Sequence, residues 1–265
     1  MNVLDFQRMK NESTKISMVT CYDYWSAKIL DKSKIDCILV GDSAAMVIHG
    51  HKTTVPATVP MMIHHIEAVS RGAPHKFIIG DMPFCSYRMG QSKTMETVDS
   101  MMKAGSHAIK LEGADDNVEI IQHIVKSGIP VMGHLGLTPQ SIHALGGFKV
   151  QGKDEIAAKK ILEQALCLEE AGCFAIVLEC VPYQVAKKIT ESLQIPTIGI
   201  GAGPYTNGQV LVFQDLLGLQ NDFKPKFLKT YMQGFELIEQ SLNLFDQEVK
   251  NEVFPNIQEH CFQKA

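Results

Sequence analysis

Short apolar, β-branched runs recur along this chain at intervals too long for hairpins, at 16–20, 37–40, 77–80, 108–111, 131–133, 175–178, 197–200 and, with a weaker pattern, 210–213. Most are followed by stretches of helical period, at 24–34, 59–70, 93–104, 118–126, 155–170 and 183–192, several closed by a glycine such as Gly72, Gly105, Gly128 or Gly172. Strands that alternate with helices pair in parallel, because the crossover carries the chain back to the same end of the sheet. The runs are nearly continuous in apolar residues, so the sheet they form is covered on both faces. A doubly wound sheet and a closed barrel both satisfy this, and eight units within 265 residues favour closure into an α/β (β/α)8 TIM barrel. The expectation is one domain over 1–265, with an amphipathic helical tail from about Phe223 that adds no strand.

The polar residues fall in a second pattern. Strand after strand ends in an ionisable or metal-binding side chain: ILVGDS, FIIGDMP, AIKLEG, VMGHLG and AIVLEC. In a parallel barrel all these C-terminal ends open on one face, which brings Asp42, Asp81, Glu112, His134 and Glu179 around a single mouth. Strand alternation puts Lys110 on the same face as Glu112, and Val40 on the same face as Asp42. A carboxylate after a strand also serves as an ordinary N-cap for the next helix, but four such ends and a histidine, five in all, are harder to assign that way.

Three carboxylates around one mouth repel unless a cation holds them, and an all-oxygen set completed by water and substrate suits Mg²⁺ better than Zn²⁺. Asp42, Asp81 and Glu112 are the candidate ligands, with an ion pair to Lys110 or a water-mediated position left open for Glu112. Glu179, at the end of an apolar run, is the candidate general base. His134 is a candidate acid, a donor to substrate, or a wall histidine. The other histidines have no supporting ligand at metal spacing. The glycine-rich IGIGAG at 198–203 lacks both common phosphate-loop fingerprints and reads instead as close backbone approach at a strand end.

A formal net charge of −4 and a pI near 6.2 provide no general field for nucleic acid or anionic lipid. Seven cysteines without a Cys-x-x-Cys pair, an N-terminus with no apolar leader core and no span-length apolar segment point to a cytoplasmic protein.

At these same residues the chain resembles the ketopantoate hydroxymethyltransferase family. The matching segments are TCYDYWSAKI, LVGDSAAMVIHGH, TTVPATV, RGAP, DMPF, IKLEGA, PVMGHLGLTPQS, GGFKVQG, LEEAGCFAIVLECVP, IPTIGIGAG and VFPNIQEH, nearly end to end. The resemblance implies a barrel of the phosphoenolpyruvate/pyruvate-binding type. It also implies transfer of a one-carbon unit from the co-substrate 5,10-methylenetetrahydrofolate to 3-methyl-2-oxobutanoate, giving 2-dehydropantoate, with one Mg²⁺ per subunit. By the same resemblance Asp42, Asp81 and Glu112 take the metal positions, Ser43, Asp42, Asp81 and Lys110 fall on substrate-binding positions, and Glu179 on the proton acceptor. His134 is carried as a substrate-binding candidate. The implied partners are small molecules and other copies of the chain, in a decamer. Departures lie at the Ala-Ala of GDSAAM, around Trp25 and in the tail.

Two rival chemistries share these residues. One is another metal-dependent oxo-acid lyase or mutase on the same barrel, which does not account for GHLGLTPQS or GGFKVQG. The other is a metal-free route in which Lys110 forms a Schiff base with the keto group. A catalytically silent barrel is a third reading, which the intact set of ionisable strand ends opposes.

Overall fold

The computed structural model describes residues 1–220 and 224–263, and the chain divides into two compact units, Met1–Val212 and Phe213–Ala265. In the first unit the apolar runs become β1 (Ile16–Thr20), β2 (Cys37–Val40), β3 (Phe77–Asp81), β4 (Ala108–Glu112), β5 (Val131–Gly136), β6 (Ala175–Glu179), β7 (Thr197–Ile200) and β8 (Gly208–Leu211). They pair in parallel and in chain order, and β8 closes on β1. The closed barrel of eight parallel strands is the one expected.

Around it run α1 (Val3–Asn11), α2 (Tyr24–Lys32), α3 (Ala44–Val47), α4 (Val59–Gly72), α5 (Gln91–Lys103), α6 (Val118–Lys126), α7 (Ile142–Leu145), α8 (Glu155–Glu170) and α9 (Tyr183–Ser192). Local chemistry sets their starts. Asp23, Thr58 and Asp154 each accept a hydrogen bond from a backbone N–H of the first turn that would otherwise be unpaired. No helix separates β7 from β8, which are joined by residues 201–207 alone.

The barrel interior is filled by alternate side chains of each strand, including Ile16, Met18, Leu39, Phe77, Ile79, Met132, Val177 and Ile198. Below it sits α1, a helix the strand and helix periodicities do not announce. Phe6 is fully buried edge-on against Phe77 and Phe174, with ring centroids 5.5 and 5.0 Å away. Lys10 anchors the same helix by donating to the carbonyls of Thr190, Leu193 and Ile195 at the C-terminal end of α9.

The eighth strand begins two residues earlier than its apolar pattern and stops at Leu211. Its first residue, Gly208, lies where an added Cβ would stand 2.5 Å from the Ile16 carbonyl, so a residue of low strand propensity is the one that fits. Gly136 makes the matching allowance at the other end. At φ +92°, it lies where a Cβ would come within 2.3 Å of the Glu179 carbonyl.

The second unit contains α10 (Phe213–Leu216), α11 (Gly234–Lys250) and α12 (Ile257–His260). The expected starting point of the tail, Phe223, lies outside the described residues. Amide groups of Tyr231, Gly234 and Phe235 donate to the carbonyls of Leu216, Leu217 and Gly218, tying the approach to α11 onto the end of α10. On α11 Leu237, Ile238, Leu242 and Phe245 are all exposed. Among the described residues no helix is long and apolar enough to cross a membrane.

Candidate active site

The strand register aligns the functional side chains. Asp81 is level with Lys110, and Glu112 with His134. Asp81 continues the inward parity of Phe77 and Ile79, Lys110 and Glu112 that of Ala108, His134 that of Met132, and Glu179 that of Val177. All six of Asp42, Asp81, Lys110, Glu112, His134 and Glu179 are therefore at one end of the barrel, and the first five are buried.

Their contacts form a chain. Lys110 Nζ lies 2.7 Å from Asp81 Oδ1, 4.0 Å from Glu112 Oε1 and 3.3 Å from His134 Nδ1. His134 Nδ1 lies 3.3 Å from Glu112 Oε1, and its Nε2 lies 3.3 Å from Glu179 Oε2. The Glu179 side chain is 18% exposed against 4% for His134, so Glu179 is the member of the chain that a solute can reach. Asp42 joins through its backbone, its N–H donating to Asp81 Oδ2 at 3.2 Å. Ser43, half-buried at the start of α3, shares a 2.8 Å hydrogen bond with the hydroxyl of Tyr22.

Burial and like charge act strongly here. Burial, then the carboxylates of Asp81 and Glu112, push Asp42 well above the usual carboxylate range. Burial also raises Asp81, despite Lys110 beside it. For Glu112 burial pulls upward, but the His134 hydrogen bond and the charges of His134 and Lys110 win and hold it low. Lys110 is kept an ammonium because Asp81, Glu112 and Asp42 together outweigh its burial. His134 behaves alike: burial and Lys110 oppose its charge, while Glu112 and Glu179 raise it to about 9.

Among the described residues no three His, Cys, Asp or Glu side chains draw close enough to enclose a metal ion by themselves. Both Glu112 oxygens are engaged, Oε2 by the Gln140 N–H at 3.0 Å and Oε1 by His134. Asp42 and Asp81 are the pair that interlock directly. Lys110 and His134 serve Asp81 and Glu112, but among the described residues no cation in contact with Asp42 offsets its burial and the like charges beside it, which is why its pKa is raised; an oxygen-rich, incompletely enclosed set of this kind fits a hard divalent cation that keeps water and takes up substrate oxygens.

Sequence periodicity gives no sign of Gln140, Tyr87 and Asn117. Gln140 is 3% exposed and lies in the 3-10 turn Pro139–Ser141 that follows β5. Its Nε2 donates to Asp42 Oδ2 and to the Met82 carbonyl, both at 2.9 Å, and its Oε1 accepts from the Tyr87 hydroxyl at 2.8 Å. Asn117, fully buried, donates to the carbonyls of Glu112 and Gly113. The one signal available was the unbroken segment GHLGLTPQS, which contains Gln140. In IGIGAG, Gly203 at φ +78° sits where a Cβ would lie 2.3 Å from Tyr183 Cβ, the close approach expected of that run.

Residues 1–257 match the family model described as Ketopantoate hydroxymethyltransferase. A protein of Coxiella burnetii named 3-methyl-2-oxobutanoate hydroxymethyltransferase is 65% identical over 99% of both chains. Proteins of the same name are 59% identical in Bdellovibrio bacteriovorus, over 97% of this chain and 98% of that one, and 54% identical in Francisella tularensis subsp. novicida, over 98% of each. Among solved structures, a phosphonopyruvate hydrolase complexed with oxalate and Mg²⁺ superposes with a TM-score of 0.63 at 10% identity, covering 98% of this chain and 93% of that one. A 2,3-dimethylmalate lyase of the PEP mutase/isocitrate lyase superfamily gives 0.60 at 16% identity, covering 92% and 98%. At such identities these two likenesses speak for the fold alone.

Proposed function

Because the chain belongs to the ketopantoate hydroxymethyltransferase family, we propose that its hydroxymethyl transfer takes place at this barrel mouth, among Asp42, Ser43, Asp81, Lys110, Glu112, His134 and Glu179. The chain is an enzyme, and its acceptor substrate is 3-methyl-2-oxobutanoate, converted to 2-dehydropantoate. The observation that carries the assignment of residues is the continuous contact from Lys110 through His134 to Glu179, which joins a buried cation to a carboxylate at the rim.

A 2-oxo acid presents a carboxylate and a keto oxygen side by side. Lys110 and the Ser43 hydroxyl supply donors for those oxygens, with Asp81 fixing the Lys110 ammonium at 2.7 Å. Glu179 removes the proton at C3, and the electron pair left there forms the new C–C bond to the one-carbon unit of 5,10-methylenetetrahydrofolate, whose two C–N bonds break as water supplies the hydroxyl oxygen and the released protons end on the folate nitrogens. His134, in contact with Glu112 on one side and Glu179 on the other, orients the base and supplies hydrogen-bond donation beside the reacting oxygens. Asp42, Asp81 and Glu112 would hold one Mg²⁺ per subunit, which would supply positive charge where the keto oxygen becomes negative.

Lys110 as a Schiff-base nucleophile is the weaker reading, since its Nζ is committed to Asp81 at 2.7 Å within a set of carboxylates. The deciding experiment is product formation from 3-methyl-2-oxobutanoate and 5,10-methylenetetrahydrofolate with and without added Mg²⁺, after treatment with EDTA. Turnover that survives EDTA undiminished overturns the metal assignment, and absence of product in both arms overturns the reaction.

The exposed apolar side chains of α11 support self-association, with a decamer as the expected assembly, and sedimentation velocity reads it directly. Seven free cysteines support a reducing, cytoplasmic setting.

A further inference from the structure

Gln140 touches groups from four separate segments of the mouth, and no periodicity or charge pattern marks it. Its side-chain amide is fully used. One N–H meets Asp42 Oδ2, the other meets the Met82 carbonyl just past β3, and Oε1 takes the Tyr87 hydroxyl. Its backbone N–H binds Glu112 Oε2. The Met82 carbonyl can only accept, which fixes the amide so that its nitrogen, not its oxygen, faces Asp42. Tyr87 is itself buried and lies 3.3 Å from the Glu112 carbonyl, so the Gln140 amide is held from behind.

From this geometry we infer that Gln140 is a positioning residue for the cation site, orienting the Asp42 and Glu112 carboxylates with Tyr87 as its anchor. The inference rests on the metal assignment proposed above. By donating to Asp42 Oδ2 it leaves Oδ1 as the less encumbered oxygen, and by donating to Glu112 Oε2 it leaves Oε1 facing His134. An amide is suited to this task where a charged donor is not, because it binds a carboxylate without neutralising it and so without competing with a cation. The residue also ties two carboxylates that like-charge repulsion would otherwise drive apart, Asp42 through its side chain and Glu112 through its backbone N–H.

The test compares wild type with Gln140→Met, which keeps the length of the side chain and loses its polar atoms, and Tyr87→Phe, which keeps Gln140 and removes the hydroxyl that anchors it, together with that hydroxyl's longer contact to the Glu112 carbonyl. Mn²⁺ affinity is read from the free-ion electron paramagnetic resonance signal. Turnover is read separately across a Mg²⁺ titration, and thermal midpoints show that the variants fold. The expected result is an Mn²⁺ dissociation constant raised about tenfold or more in Gln140→Met and about two- to fivefold in Tyr87→Phe, as for other residues that orient metal-binding carboxylates. The Mg²⁺ concentration for half-maximal turnover rises in parallel, and kcat recovers in large part at saturating Mg²⁺. A merely structural residue would shift the midpoint without that split. Unchanged Mn²⁺ affinity in a folded Gln140→Met overturns the inference, and if that variant does not fold, unchanged affinity in Tyr87→Phe overturns it equally. Wild type that binds no Mn²⁺ fails the metal assignment itself, whereas wild type that binds with unaltered variants fails only the role of Gln140.

Discussion

His134 Nε2 stands 3.3 Å from Glu179 Oε2, while the opposite ring nitrogen faces Glu112 Oε1 at the same distance. The imidazole thus connects the most accessible carboxylate of the mouth to one of its most buried. Glu179 gains a fixed direction from a ring that cannot turn without losing its partner on the other side.

Glu179→Gln keeps the size and hydrogen bonding of that side chain but cannot take a proton. The expected outcome is a fall in kcat of about a hundredfold or more with little change in binding of the 2-oxo acid. Loss of the C3 proton signal of 3-methyl-2-oxobutanoate in deuterated buffer, followed by NMR, checks it directly. Exchange at the wild-type rate in the variant would remove Glu179 from the role of base.

Lys110 carries the buried positive charge for this cluster. Lys110→Met leaves Asp81 and Glu112 without it, and urea unfolding near neutral pH is expected to show a loss of about 3 to 5 kcal/mol. In the wild type, borohydride added with 3-methyl-2-oxobutanoate is expected to leave no mass adduct on Lys110. A trapped adduct would favour the imine route over direct enolisation.

The Phe6 side chain closes the end of the barrel opposite the mouth. Phe6→Ala is expected to cost about 3 to 5 kcal/mol in denaturant unfolding while kcat stays close to wild type, because the plug touches Phe77 and Phe174 and none of the ionisable strand ends. A variant with wild-type stability would show that α1 is not held by this contact.

His107 provides a pH dependence away from the mouth. Its Nδ1 accepts from the Ile78 N–H at 3.0 Å, and although the residue is exposed at one edge, the face of its ring stacked on Phe77 is shielded from water, which lowers its pKa below the ordinary histidine value. The folded state therefore binds this proton less readily than the unfolded state. Stability contributed here is present above the unfolded pKa of about 6.5 and is lost as pH falls through that value toward the folded one. Urea midpoints at pH 7.5 and 5.5 should show a larger acid loss in wild type than in His107→Asn, and equal losses would exclude His107 as a source.

Much of the mouth was legible because strand geometry is periodic. An apolar run that ends in Asp, Glu or His announces both its direction and its end, and the alternation that pairs Lys110 with Glu112 holds in the structure. It does not extend to Asp42. β2 stops at Val40, and the chain turns at Gly41, where a Cβ would stand 2.7 Å from Ser43 Oγ, so sharing a parity with Val40 says nothing about where the Asp42 carboxylate points. Gln140 was hidden for a related reason, since a 3-10 turn imposes no pattern that a neighbouring residue could betray. In α1 only Phe6 and Met9 are buried, and two apolar positions among charged residues make too short a stripe to read.

The register that aligns Asp81 with Lys110 and Glu112 with His134 restricts how such a chain can change over generations. Gain or loss of a single codon inside β4 would turn Ile109 and Leu111 toward the mouth and carry Lys110 and Glu112 out against the helices, disabling the site in one event. The same change between β7 and β8, or in the stretch from Gly146 to Asp154, shifts no side chain from one face of the sheet to the other. Length variation in descendants of this sequence is thus confined to its connections, and the strands can diversify only by substitution.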